Sequence, residues 1–213
     1  MTLVFLLEER SMKEVLDILL PRILPEHVYS CEQRAKRTCW HVHLATAARV
    51  KYSVACCGVF DFRTIAHSGK SDLQESIPHK LKAWRQPDVK FVIVQDQDSG
   101  DCVKVKELLQ DLAEPSGREV LIRIACRELE AWYFGDLNAV SLAYGQNVRG
   151  LASKSKYRCP DEIGNPKEEL RKLFPRHQQL DGARRIAVHM NIEENTSVSF
   201  QYFVSGVKKI CNS

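Results

Sequence analysis

Val89-Lys90-Phe91-Val92-Ile93-Val94-Gln95-Asp96-Gln97-Asp98-Ser99-Gly100-Asp101 is the stretch that decides the fold. Its first half is an almost unbroken β-branched and aromatic run, the signature of a strand buried on both faces. Three acids then arrive within six residues. Side chains alternate along a strand, which places Asp96 and Asp98 on one face with Cα atoms about 7 Å apart. Two carboxylates so placed repel each other unless a proton or a cation lies between them. A hard divalent ion such as Mg2+ takes carboxylate oxygens and keeps waters for substrate. The plainer alternative is a polar turn that caps the next helix, where Asp is favoured. Asp101 suits that cap, just ahead of Val105, Leu108, Leu109 and Leu112 at helical spacing.

Outward from this strand, apolar runs alternate with helix-start signals. Leu3 to Leu7 is a predicted first strand ending at Glu8 and Glu9, and Ser11-Met12-Lys13-Glu14 reads as a capping box. The helix after it carries Val15, Leu16, Leu19 and Leu20 and is cut off by Pro21. Ser71-Asp72-Leu73-Gln74 is a second capping pattern, with Ile77, Leu81 and Trp84 following, and Pro78 marks a kink or a later start. Glu119 to Ile124 is a further strand, after the turn Pro115-Ser116-Gly117. It runs into Cys126 to Asp136, where in helical form Arg127 and Glu130 face the same way. A surface ion pair between those two is the ordinary reading of that spacing. Glu128 and Glu130 diverge on a helix, so only one of them faces a site.

The last third is helical and basic. Asn165-Pro166-Lys167-Glu168 is a helix start with proline at the first helical position. Asp181 is a candidate cap for a second helix, and Asn195-Thr196-Ser197 leads into a third carrying Phe200, Phe203, Val204 and Val207. The least legible stretch is about 30–66, read as a β excursion inserted in the domain. Cys39, His41, His43, Cys56 and Cys57 there match no common zinc spacing, so buried small hydrophobes and core histidines are the better reading. Gly69-Lys70 resembles part of a phosphate loop but lacks the earlier glycine of a nucleotide-hydrolysing motif.

The chain has 213 residues, 44% hydrophobic and 27% charged, with a net charge of +4. That is an ordinary globular composition, and the mild positive charge permits contact with nucleic acid without arguing for it. No apolar run is long enough to span a bilayer. The N-terminus lacks the basic flank and small-residue cleavage site of a signal peptide, so the eight scattered cysteines are expected as reduced thiols in a cytoplasm.

Strands alternating with capped helices predict an α/β fold with a mostly parallel sheet flanked by helices and a helical C-terminal third. Ligands in such sheets sit beyond the carboxyl ends of the strands. Glu8 and the Asp96/Asp98 pair both lie at such ends, so neighbouring strands would bring three carboxylates to one crevice. That set suits metal-assisted chemistry on a phosphodiester, with Asp96 and Asp98 holding Mg2+ or Mn2+. Glu8 would complete the metal site or take a proton from the attacking water.

The acid closing the first strand, followed by a helix and then a strand ending in Asp-x-Asp, resembles a Toprim domain, the metal-binding α/β module of topoisomerases, primases and overcoming-lysogenization-defect nucleases. More closely, four blocks together resemble the Toprim-like bacterial proteins of domain-of-unknown-function family 4276. They are Leu6-Leu7-Glu8-Glu9-Arg10-Ser11-Met12, Gly69-Lys70-Ser71-Asp72-Leu73, Asp96 to Cys102, and Arg123 to Trp132. Lys156 to Asp161 and Asn195 to Phe200 extend the match.

The resemblance implies a Toprim-like domain over 1–135, interrupted by the 30–66 stretch, with a helical extension over 136–213 packed on it. It also implies a Mg2+- or Mn2+-dependent nuclease of a bacterial defence or mobile-element system, working with an AAA-type or ABC-type ATPase. Glu8 matches the Toprim glutamate, Asp96 and Asp98 the aspartate pair, and Glu130 an acid that related effectors place just ahead of a tryptophan. Glu9 departs from the pattern, standing where a Toprim domain normally has glycine. Lys70, Lys104, Arg127, Lys156 and Arg158, with Arg123, Lys154, Arg184 and Arg185, would suit phosphate contacts. A solvated charged surface is the ordinary fate of any one of them. The competing reading is a non-catalytic Toprim-like subunit that binds nucleic acid or an ATPase, and a small-molecule phosphotransferase is a weaker third.

Overall fold

The computed structural model describes residues 1–25, 40–42, 49–51 and 61–213. In chain order the elements are β1 (Thr2–Leu7), α1 (Arg10–Ile23), β2 (Trp40–Val42), β3 (Arg49–Lys51), β4 (Asp61–Ala66), α2 (Lys70–Ala83), β5 (Val89–Asp96) and α3 (Cys102–Ala113). Then follow β6 (Val120–Ala125), α4 (Glu130–Phe134), α5 (Leu137–Tyr144), α6 (Ser155–Arg158), α7 (Pro166–Leu173), α8 (Gln179–His189) and α9 (Val198–Asn212). Four strands form one parallel sheet in the order β4-β1-β5-β6, and β2 and β3 form a separate antiparallel pair. The α/β class, the parallel sheet and the helical C-terminal part are therefore as the sequence predicts. The remaining cysteines and histidines of the zinc alternative, and the rest of the 30–66 stretch, lie outside the described residues.

Period two explains how the sheet is buried. Leu3, Phe5 and Leu7 of β1 and Val92 and Val94 of β5 join one apolar cluster with α1 and the C-terminal helices. Val4, Leu6, Phe91 and Ile93 point the other way, into a cluster built on Leu73, Ile77 and Leu81 of α2 and Leu109 and Ala113 of α3. β1 and β5 are thus covered on both faces, as continuous apolar runs require. α9 packs on β6 and α8 on α1, so the last third of the chain closes one face. No helix among the described residues is long and apolar enough to cross a membrane.

Several local expectations are overturned. α1 starts one residue before Ser11, with Glu9 at the N-cap position, and the Ser11 hydroxyl donates to the Glu9 carboxylate instead of capping. Glu14 is drawn away to Arg184 of α8 by a two-bond ion pair of 2.7 and 2.8 Å. Pro21 does not end α1, which runs on to Ile23 although the missing N–H removes one intrahelical hydrogen bond. In α2 the N-cap position is Gly69 rather than Ser71, and Asp72 reaches back to accept the Ser68 N–H at 2.8 Å. α8 likewise starts at Gln179, ahead of Asp181. The Asp101 cap holds, accepting the N–H groups of Val103 and Lys104.

Candidate functional site

The sheet order places a topological switch between β1 and β5: the chain leaves β1 for β4 on one side and returns to β5 on the other. Crevices open at the carboxyl ends of strands at such a point. Leu7 lies opposite Val94, so Glu8 emerges beside the end of β5. Glu8 Oε2 accepts the Asp96 N–H at 2.9 Å, and both side chains are buried. The neighbouring strands thus bring Glu8 and Asp96 together.

From the next strand over, the chain after β6 turns into α4, whose first residue is Glu130, only 1% exposed. Its charge is felt at Asp96, as are those of Glu8, Glu9 and Asp98. Burial first, and then these four acids, push Asp96 well above the usual carboxylate range. Burial likewise raises Glu130, to about 7, with Lys167 opposing and Glu9 and Glu128 adding to the rise. Glu8 is raised too, mainly by burial, against the Asp96 N–H bond that favours its ionised form. Five acids therefore share one electrostatic neighbourhood at the ends of β1, β5 and β6.

Two of their oxygens are conspicuous. Asp96 Oδ1 and Glu130 Oε1 are buried without a hydrogen-bond partner, and so is the hydroxyl of Tyr133, one turn along α4. Buried polar atoms are ordinarily satisfied, so orphans gathered in one place mark a position for a proton, a water or a cation. An all-carboxylate donor set fits a hard cation such as Mg2+ or Mn2+. Among the described residues, however, no three His, Cys, Asp or Glu side chains are gathered closely enough to hold a metal ion as they stand.

Asp98 explains part of that gap and corrects the strand-alternation argument. β5 ends at Asp96, and Asp98 lies in the following turn with a left-handed φ of 54°, so it does not share the strand face of Asp96. Its carboxylate is half exposed and pairs with Lys70 at 2.6 Å. Its N–H donates to the Arg127 carbonyl at 2.7 Å. Arg127 is itself left-handed, φ 63°, and its N–H donates to Gln97 Oε1 at 2.9 Å. Two non-glycine residues held this way in adjoining loops are a feature that clusters at functional sites. The left-handed turn also removes Arg127 from any helix, so it does not stack on Glu130. Of the two glutamates expected to diverge, Glu130 faces the acids, whereas Glu128 accepts the Lys167 N–H at 2.9 Å and caps α7.

Other contacts were invisible to sequence reasoning, even where the sequence had singled out the block that makes them. Gln179 at the start of α8 donates to both oxygens of Glu9, at 2.7 and 2.9 Å, fixing that acid beside the crevice. α4 is anchored by the C-terminal block: Asn195 Nδ2 donates to the Trp132 carbonyl at 2.8 Å, and Trp132 Nε1 donates to Ser199 Oγ at 2.9 Å. Asp161 in turn accepts from Ser197 Oγ and Ser199 N, both at 2.7 Å. A Cβ on Gly135 would stand 2.8 Å from Ser197 N and collide with the Asn195 side chain. Gly135→Ala is therefore expected to destabilise the protein by about 1–3 kcal/mol in chemical denaturation, an overpacking cost. An unchanged denaturation midpoint would show that the Asn195 anchor is dispensable.

The basic candidates divide. Lys70 and Arg127 adjoin the acids through Asp98. Lys156 is committed to Glu169 at 2.6 Å, and Lys104 and Arg158 are exposed; none of the three is bonded to the acids among the described residues. Lys154 is exposed as well. Arg123 is structural, donating to the Tyr202 carbonyl at 2.8 Å and to the Ile122 carbonyl at 2.9 Å beneath Gly206. Arg184 pairs with Glu14, and Arg185 lies over the Tyr144 ring.

No curated protein and no solved structure matches the chain. One family does, over residues 7–208, a span that takes in Glu8, the Asp96 turn, α4 and the anchoring block from Asp161 to Ser199. The chain belongs to the family described as Domain of unknown function (DUF4276).

Proposed function

We propose that the protein is a Toprim-like, Mg2+- or Mn2+-dependent nuclease that hydrolyses phosphodiester bonds. The observation that carries this reading is the pair of orphaned buried oxygens, Asp96 Oδ1 and Glu130 Oε1, inside a group of mutually repelling acids at the switch point of the sheet. Glu8, Asp96 and Asp98 would hold the cation, which supplies neutralisation of charge on the phosphoryl oxygens. The chain's own residues do the rest. Glu130, titrating near neutrality, can exchange a proton with water or a leaving oxygen. Lys70, once Asp98 turns from it, becomes a free cation beside the crevice and can meet a phosphate, with Arg127 next to it. Lys104, Lys156 and Arg158 are candidates for more distant backbone contacts. The family resemblance supports a bacterial defence or mobile-element system with an AAA-type or ABC-type ATPase as partner, and the scattered cysteines support a cytoplasmic setting.

The test is cleavage of plasmid DNA and of total RNA by the full chain with Mn2+, Mg2+ or a chelator, alongside direct Mn2+ titration. Cutting that requires the metal supports the reading. Mn2+ binding without cutting moves the assignment to a second reading, a non-catalytic subunit that binds nucleic acid or an ATPase. The Lys70–Asp98 pair favours that alternative, because it keeps Asp98 away from Asp96. Lys70→Ala separates the two: if Asp98 joins the metal, the variant binds Mn2+ several-fold more tightly while its stability changes by less than about 0.5 kcal/mol, as for an exposed ion pair.

A further inference from the structure

Cys102 is the first residue of α3, and Cys126 is the first beyond β6. They lie 24 residues apart in sequence, yet their sulfurs stand 3.8 Å from each other, and both are partly exposed. A disulfide needs a sulfur separation of about 2.05 Å, so a small closing movement joins them. We propose that Cys102 and Cys126 form a redox modification site, a dithiol that hydrogen peroxide converts to a disulfide and small cellular thiols reopen.

The two sulfurs are both partly exposed, so either thiol can meet peroxide first with the same balance, and Cys102 illustrates it. Burial first, and then the neighbouring Cys102 thiol and Asp161, raise Cys126, while Ser199 Oγ opposes. The Cys102 sulfur gives an electron pair to one peroxide oxygen, the O–O bond breaks, and Cys102 becomes a sulfenic acid as the first water leaves. Cys126 sulfur then attacks that sulfur, the S–S bond forms, the S–O bond breaks, and the second water carries off the Cys126 proton. The two thiols lose two electrons and two protons, and the peroxide becomes two waters. Reopening is thiol–disulfide exchange, in which two small thiols supply the electrons and leave as their own disulfide.

The bond ties together the loops that hold Asp98 and Arg127, already joined by the Asp98 N–H to Arg127 carbonyl bond of 2.7 Å. Oxidation is therefore a clamp across one wall of the acid crevice, and it goes beyond the nuclease reading because the bond forms whether or not the chain cuts anything.

The full-length reduced protein is treated with hydrogen peroxide, alkylated, and mapped with trypsin without reductant. The expected product joins the peptide over residues 91–104 to that over 124–127, disappears on adding dithiothreitol, and is absent from Cys102→Ser. Oxidation is expected to raise the melting temperature of the wild type by several degrees and to leave Cys102→Ser unmoved. Over-oxidation of Cys102 with no linked peptide would overturn the proposal, as would linkage of Cys102 to the exposed Cys159. Should Cys102→Ser fold poorly, Cys126→Ala serves as the second control, and a linked peptide that still contains Cys102 in that variant would also overturn it.

Discussion

Asp96→Asn is expected to lose metal-dependent hydrolysis by on the order of 10³-fold or more while gaining stability at neutral pH. The two effects share one cause. Asp96 is buried beside Glu8, Glu130, Glu9 and Asp98, and its Oδ1 has no partner to offset the cost of a charge there. Its folded pKa is raised, so stability is full below the unfolded value and is lost as pH rises through the folded one. At neutral pH the native protein carries that cost, which a bound cation relieves and an amide never incurs. The expected gain is on the order of 1–2 kcal/mol, the scale of the penalty for a buried polar group without a partner. Denaturation at pH 7.5 in chelator, together with cleavage in Mn2+, reads both halves. Full hydrolysis by the variant would place the chemistry elsewhere. A loss of stability would mean that the carboxylate is satisfied by something other than a metal.

The second large effect is a pH profile. Glu130 rises from 4.5 to about 7 on folding, chiefly because it is desolvated at the start of α4. The folded state therefore binds more protons than the unfolded state between those values. The contribution of Glu130 to stability therefore falls as pH climbs from 4.5 to 7 and levels off above, by on the order of 3 kcal/mol. Asp96 and Glu8, raised in the same sense, steepen the fall. Glu130→Gln is expected to remove the Glu130 share, leaving a shallower profile and higher stability at pH 8. Urea denaturation across pH 4.5–8 in the absence of metal measures both curves, and identical slopes would show that Glu130 is not protonated in the native state. Adding Mn2+ at pH 8 is expected to stabilise the wild type more than either variant, because a cation takes the proton's place.

The fold was legible because its signals were strong and redundant. The β-branched and aromatic run from Val89 to Val94 reads as a strand covered on both faces, and the Asp101 cap follows from local backbone chemistry that needs no tertiary partner. Glu8 and Asp96 were legible as a pair once parallel strands were assumed. What failed did so where a distant residue outbid a near one. Ser11 and Glu14 spell a capping box, but Glu9 takes the serine hydroxyl and Arg184, 170 residues on, takes the glutamate. Asp98 and Arg127 are left-handed because two loops bond to each other, and strand alternation cannot foresee a chain that has already turned. Tyr133 and Gln179 carry no motif of their own, and the block that holds Asn195 does not reveal what it anchors. Their roles exist only after the last third has folded against the sheet.

That dependence sets a timetable for synthesis. Glu130 sits where it does because Asn195 and Ser199 hold the short helix that bears it. A chain emerging from the ribosome has its strands and Asp96 long before those residues exist. Its acids stay an unfinished set until residues 195–199 have left the exit tunnel and docked. On the proposed reading, hydrolysis would wait for that docking, so the acids could not act before the last helices are in place.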